Sequence, residues 1–300
     1  MPPPEPISTA SITILSKLMD SPLSTKSWLR RLGRLWLEGA LFTACSLVIA
    51  NAIRIPQSGF FAVFLAAAGL TPAFTGILDH NRASIQVGGV GPWKANTASA
   101  ANLLALFVGA FSAFAAAALW LGEARMGNEF RFVLDTASLG SDTIVTREFA
   151  SPLPLLAHNG LVLLVFFTLT FVYRAYGALL ALVWNACIWA LVMAFLVRRG
   201  MKASAIPATI YVTVAAVAVL PHLILEAVGY ILGGLSAVFL SRAVFKYPLR
   251  DPVFRSVLRS VVMLTLASVA CLLAAALVES TLPRLVLPLL TPRSAAPPSP

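Results

Sequence analysis

Long apolar runs, each broken by a short cluster of charged or turn-forming residues, make up most of the chain. The first spanning segment reads as 35–53, and Arg54-Ile55-Pro56-Gln57 turns the chain into a second at 59–78. A polar connection over 79–97, with Gly88-Gly89 and Gly91-Pro92, leads to an alanine-rich third segment at 98–121. Each run is near the length of about 20 residues that a helix needs to cross a bilayer. Residues 123–157 form the longest polar stretch, expected as an extramembrane loop or hairpin. The region 160–197 is too long for one helix, and Tyr173-Arg174-Ala175-Tyr176-Gly177 interrupts it. It reads as a helix to Tyr173 and a second over 177–197. The last strong segment is 260–278, and a Pro-rich tail at 283–300 is expected to be disordered.

Residues 203–241 hold the pattern on which the rest turns, because they contain no Lys, Arg or Asp. One helix of that length would measure roughly 58 Å, almost twice a hydrocarbon core of about 30 Å. Two crossings joined at Pro221 are therefore expected, since proline removes a backbone N–H and disfavours helix just before it. On a helix from His222, the residues His222, Glu226, Gly229, Gly233 and Ala237 share one face. Gly229 and Gly233, with Gly234 beside them, suit a close approach by another helix. An acid in apolar sequence should turn toward the same protein-covered side.

Composition settles the class. Of 300 residues, 59% are hydrophobic and 11% charged, with a mean hydropathy of +0.86. Soluble domains carry about 25% charged residues. The fold class is all-α, a multi-pass transmembrane bundle of about seven segments (six to eight) with paired helical hairpins. The net charge of +10 does not call for nucleic acid, because the cations lie mostly outside the apolar runs. There they orient helices and meet anionic headgroups. Three basic clusters stand out: Lys17 to Arg34 in the N-terminal segment 1–34, Arg198-Arg199-Lys202, and Arg242 to Arg259. The positive-inside rule puts all three in the cytoplasm. With residues 35–282 as the membrane domain and 123–157 outside, two crossings through 160–197 would put Arg198 on the wrong side. A shallow or re-entrant helix before Arg174 is the expectation that reconciles them.

Few residues could carry chemistry. His222 and Glu226 stand at i, i+4, a spacing compatible with two metal ligands, yet a catalytic zinc needs a third protein ligand and an open position. His80 and His158 lie near other membrane ends, and there is no His-Glu-x-x-His. No metal, cofactor or catalytic residue is expected. Cys45, Cys187 and Cys271 sit singly in apolar sequence, as small buried hydrophobes do. Arg174 is the candidate partner for Glu226, since intramembrane charges tend to pair. The alternative is an arginine snorkelling to the headgroups from a turn flanked by Tyr173 and Tyr176. Asn102 and Asn185 suit hydrogen bonds between helices.

Pro221-His222-x-x-x-Glu226 followed by Gly229, Gly233 and Gly234 resembles the stage II sporulation protein M family of polytopic membrane proteins. That family's mark is Pro-His-Gly-x-x-Glu; here Leu223 replaces the glycine. Its upstream Asn-Asn, glycine-rich bend and Asn-Gly look like His158-Asn159, Gly177 and Asn185-Ala186, so the likeness covers 158–245. The resemblance implies a multi-pass membrane protein of the cell envelope, here a divergent one, without established catalysis. Two functions follow as expectations. One, motivated by the small-residue faces, is a non-catalytic scaffold that assembles or positions other membrane or envelope proteins through its helices and the 123–157 loop, alone or as an oligomer, in a bacterial inner membrane with a cytoplasmic N-terminus. The other is a permease or transporter subunit in which Glu226, His222, Arg174 and Asn185 face one cavity.

Overall fold

The computed structural model describes residues 25–136, 152–203 and 206–286, and these are helical with short connections. Helices α1 (Thr25–Ala52), α2 (Ser58–Gln86) and α3 (Pro92–Trp120) are followed by two short ones, α4 (Glu123–Glu129) and α5 (Arg131–Thr136). Then come α6 (Pro152–Tyr173), α7 (Ala175–Ala203), α8 (Ala208–Lys246) and α9 (Pro252–Val286). Seven of these are long and apolar enough to cross a membrane. The chain is an all-α integral membrane protein, as the run lengths indicated.

Cross-helix contacts show how the helices alternate between two ends. At one end Arg31 near the start of α1 lies within electrostatic reach of His80 near the end of α2. There, too, Arg242 near the end of α8 meets Asp79 at 3.5 Å. At the other end Arg198 in α7 donates to the Leu119 carbonyl in the last turn of α3, 2.5 Å away. The first end thus gathers Arg31, Arg34, Arg242, Arg255 and Arg259, and we call it the basic rim. The Arg198 cluster lies at the opposite end, away from Arg242 to Arg259.

Two expectations are overturned here. Residues 208–246 form one helix with Pro221 inside it, not two crossings. Proline leaves the carbonyl four residues earlier without its backbone donor, a loss that transmembrane helices tolerate when neighbours hold the chain. Among the described residues the most extensive helix–helix contact is the antiparallel one between α8 and α9. Ala215 and Ala218 before the proline are as fully buried as Leu235 and Ala237 after it. At roughly 58 Å, α8 must tilt or project beyond the hydrocarbon. The second correction is that α6 is not a short re-entrant piece. Its 22 residues are long enough to cross, and a single residue, Arg174 at φ 54, returns the chain into α7.

That return is tight because Gly177 has no side chain. A Cβ there would run into the Leu169 carbonyl and the Thr170 backbone. Gly177 is itself helical, so its service is close approach rather than the bend. The same device joins α1 to α3. A Cβ on Gly39 would strike the Leu106 carbonyl, and one on Gly109 the Trp36 carbonyl. Small residues of this kind let transmembrane backbones touch where no hydrophobic driving force exists between helices and lipid.

The stretch after α3 is less of a free loop than its polarity suggested. Met126, Phe130 and Val133 are buried against the bundle end. The Phe130 ring occupies the space over Gly59, and Phe132 packs edge-on against Phe60 and tilted against Trp184, with ring centroids 5.2 Å from each. Residues 137–151 of the expected loop, and the tail from 287, lie outside the described residues. Helix α9 runs from Pro252 to Val286, past both limits of the 260–278 segment and into the first residues assigned to the tail.

Candidate functional site

The polar interior is built on α8. Glu226 is only 7% exposed, and its Oε1 accepts a 2.7 Å hydrogen bond from Asn159 Nδ2 on α6. Asn159 is equally buried. His222, one turn before Glu226 on the same face, is buried with an Nδ1 that meets no partner in hydrogen-bond geometry. The Ala218 carbonyl, another turn back, acts on its ring. Tyr230, one turn beyond Glu226, packs edge-on against Phe166 at 5.5 Å. Glu279 on α9 comes within electrostatic reach of both Glu226 and Tyr230. Asn159, Glu226, His222 and Glu279 thus form a small polar patch where α6, α8 and α9 meet.

The glycines below this patch are packing positions. A Cβ on Gly229 would press into Leu272 at 2.9 Å, and the Ser268 hydroxyl donates to the Gly229 carbonyl at 2.7 Å. A Cβ on Gly233 would collide with Leu163 of α6. Gly234 is different: its nearest neighbour is the Ala178 methyl at 3.8 Å, an ordinary contact. Packing face and polar face coincide on α8, as the spacing of His222, Glu226, Gly229 and Gly233 indicated.

Other expected site residues stand apart. Arg174 is exposed at the basic rim, its guanidinium over the Phe245 ring at 5.3 Å, and it does not reach Glu226. Asn185 donates to the Ala181 carbonyl of its own helix at 2.9 Å, so it stitches no helices together. Asn102 has a buried Oδ1 without a partner. Pro221 lies within α8, and Gly177 supports the α6–α7 return. The four residues expected around one solute path therefore occupy three settings: a rim, an intrahelical bond and the α8 patch.

Two features escaped the sequence reading. Asn81 donates to Asn96 Oδ1 at 3.0 Å and to Ser99 Oγ at 2.9 Å, a buried clasp between α2 and α3. Its signal was present, because two amides and a serine sit just inside the two helix ends. Glu279 lies one residue past the 260–278 apolar segment, where nothing local singles it out. A cavity with a volume of about 10 Å³, room for roughly one water, lies in the bundle. Thr170, Tyr230, Phe74 and Leu103 are among its walls, and the Thr170 hydroxyl has no partner. Among the described residues no His, Cys, Asp and Glu cluster could hold a metal ion. No protein-family model, curated protein or solved structure matches the chain.

Proposed function

We propose that this protein is a non-catalytic membrane scaffold that assembles or positions other envelope proteins, a divergent relative of the stage II sporulation protein M family. One observation carries the reading: the buried acid is spent on packing. Glu226 is bonded across helices to Asn159, and beside it Gly229 and Gly233 lock α8 to α9 and α6. A carboxyl held this way stabilises an interface, and interhelical bonds in membranes contribute about 0.6 to 2 kcal/mol. The sporulation-family motif thereby acquires a physical sense, since its Pro-His and Glu positions share a helix with the glycines that close the bundle.

The basic rim is assigned to the cytoplasm by the positive-inside rule, which places the N-terminus inside and the α4–α5 end outside. A bacterial inner membrane suits that polarity. The competing permease reading keeps one observation in its favour, the buried His222, whose Nδ1 has no partner, next to Glu226 and Glu279, since intramembrane ionisable groups often mark solute paths. Extraction from native membrane in mild detergent, followed by affinity capture, separates the two. A stoichiometric membrane or envelope partner is expected. Capture of the chain alone, together with solute flux in proteoliposomes that Glu226→Gln abolishes, would overturn the scaffold.

A further inference from the structure

The α6–α7 turn has a residue in it that helix packing does not explain. A one-residue return needs a left-handed backbone, which glycine adopts freely and other residues rarely do. Here the position is Arg174, at φ 54. The conformation sets its side chain on the rim, where the guanidinium lies over Phe245, itself 70% exposed, and Phe171 packs 6.5 Å from the same ring. Stacking occupies one face of a guanidinium and leaves its N–H edge free for an anion that presents two oxygens side by side, as carboxylate and phosphate do. Among the described residues no carboxylate pairs with Arg174. The cations next to it in the fold are Lys246, which follows Phe245, and Arg242, whose Asp79 partner is 66% exposed. The corner thus has an excess of positive charge and an unused donor edge.

What lies beneath the corner selects the anion. Leu161, Leu164, Val165 and Val172 form an exposed apolar stripe along α6 that ends directly at Arg174. Their spacing of three, four and seven residues keeps them on one helical face. Acyl chains laid along this stripe would bring a phosphodiester to the guanidinium. We infer that Arg174, on its Phe245 platform, binds the phosphate of an anionic membrane lipid whose tails follow the outer face of α6. The site is independent of whether the bundle acts as a scaffold or a permease.

Native mass spectrometry of the full chain from mixed micelles holding equal phosphatidylglycerol and phosphatidylcholine tests the site. The wild type should retain phosphatidylglycerol several-fold over phosphatidylcholine. Arg174→Gly removes the charge while relieving the left-handed backbone, so it should bring the ratio near parity with an unchanged or higher Tm. Phe245→Leu, which leaves the turn intact, should lower the ratio as well. Arg255→Gln, an unpaired cation elsewhere on the rim, should leave it unchanged. Wild-type selectivity in Arg174→Gly or in Phe245→Leu would overturn the site, and so would an equal loss in Arg255→Gln. Glycerol 3-phosphate displacing the bound lipid at millimolar concentration would assign the corner to a free phosphate and overturn the lipid.

Discussion

The α1–α2–α3 and α6–α8–α9 groups solve the same problem by different chemistry. In the first, Gly39 and Gly109 bring backbones into direct contact, and the buried polar side chains are neutral: Asn81, Asn96 and Ser99 form one clasp, while Asn102 Oδ1 lies outside it without a partner. In the second, glycines again open the interface, but the polar group crossing it is an acid bonded to an amide, with an imidazole one turn away whose Nδ1 has no partner. Helix α7 joins the groups, packing on α2, α3, α6 and α8. A neutral clasp holds whatever the proton concentration, whereas a carboxyl must be protonated or well bonded to stay in hydrocarbon surroundings. The first group is built for permanence. The second carries the residues whose state can change, and any adjustable behaviour of the bundle belongs there.

The largest expected effect breaks the first group. Gly109→Leu must push a branched side chain into the Trp36 carbonyl, and backbone cannot yield as a flexible side chain can. Loss of folded protein in detergent is expected, seen as the disappearance of the monodisperse peak on size exclusion. Gly109→Ala should cost about 1–3 kcal/mol, the range for overpacking, by unfolding in mixed micelles. Recovery of either variant at wild-type stability would mean that the α1–α3 contact is looser than the geometry shows.

In the second group, Glu226→Leu should cost about 0.6 to 2 kcal/mol, while Glu226→Gln, which keeps an acceptor for Asn159, should be nearly silent. The inequality between those two variants separates a packing role from a charge role. Arg174→Gln should add to Glu226→Gln without coupling beyond about 0.3–0.5 kcal/mol, because the two side chains share no partner. Strong coupling would restore the ion pair that the fold separates. The smallest effect is Gly234→Ala, expected to be neutral in the same unfolding series since its Cβ would meet only a methyl at 3.8 Å. A penalty equal to that of Gly229→Ala would show that the two glycines are not as different as their surroundings.

Periodicity and run length revealed the class, the helix count and the shared face of His222, Glu226, Gly229 and Gly233, because those follow from local spacing. The failures share one cause, which is tertiary support. Pro221 is a breaker by its own chemistry, yet α8 runs on through it, packed against α9. Of the two readings open for Arg174, pairing with Glu226 fails and the arginine at a turn between Tyr173 and Tyr176 fits, because its position in a one-residue turn puts it at the rim. That turn also makes α6 a full traverse and carries the Arg198 cluster to the other end, against the charge rule applied cluster by cluster. The Gly39–Gly109 contact joins residues far apart in sequence, and nothing local to either distinguishes it from an ordinary helical glycine. The Asn159–Glu226 bond was within reach, since both positions belonged to the motif, but the choice between Asn159 and Arg174 as the partner needed coordinates.

The coupling free energy between Asn159 and Glu226 is the most direct measure of whether the buried acid serves packing. It is obtained from unfolding of the wild type, Asn159→Ala, Glu226→Leu and the double variant in one detergent. A coupling of about 0.6 to 2 kcal/mol is expected, the worth of one interhelical hydrogen bond in a membrane. Additivity within about 0.3 kcal/mol, as for sites that share no contact, would contradict it and return Glu226 to the list of groups held in the bilayer for another purpose.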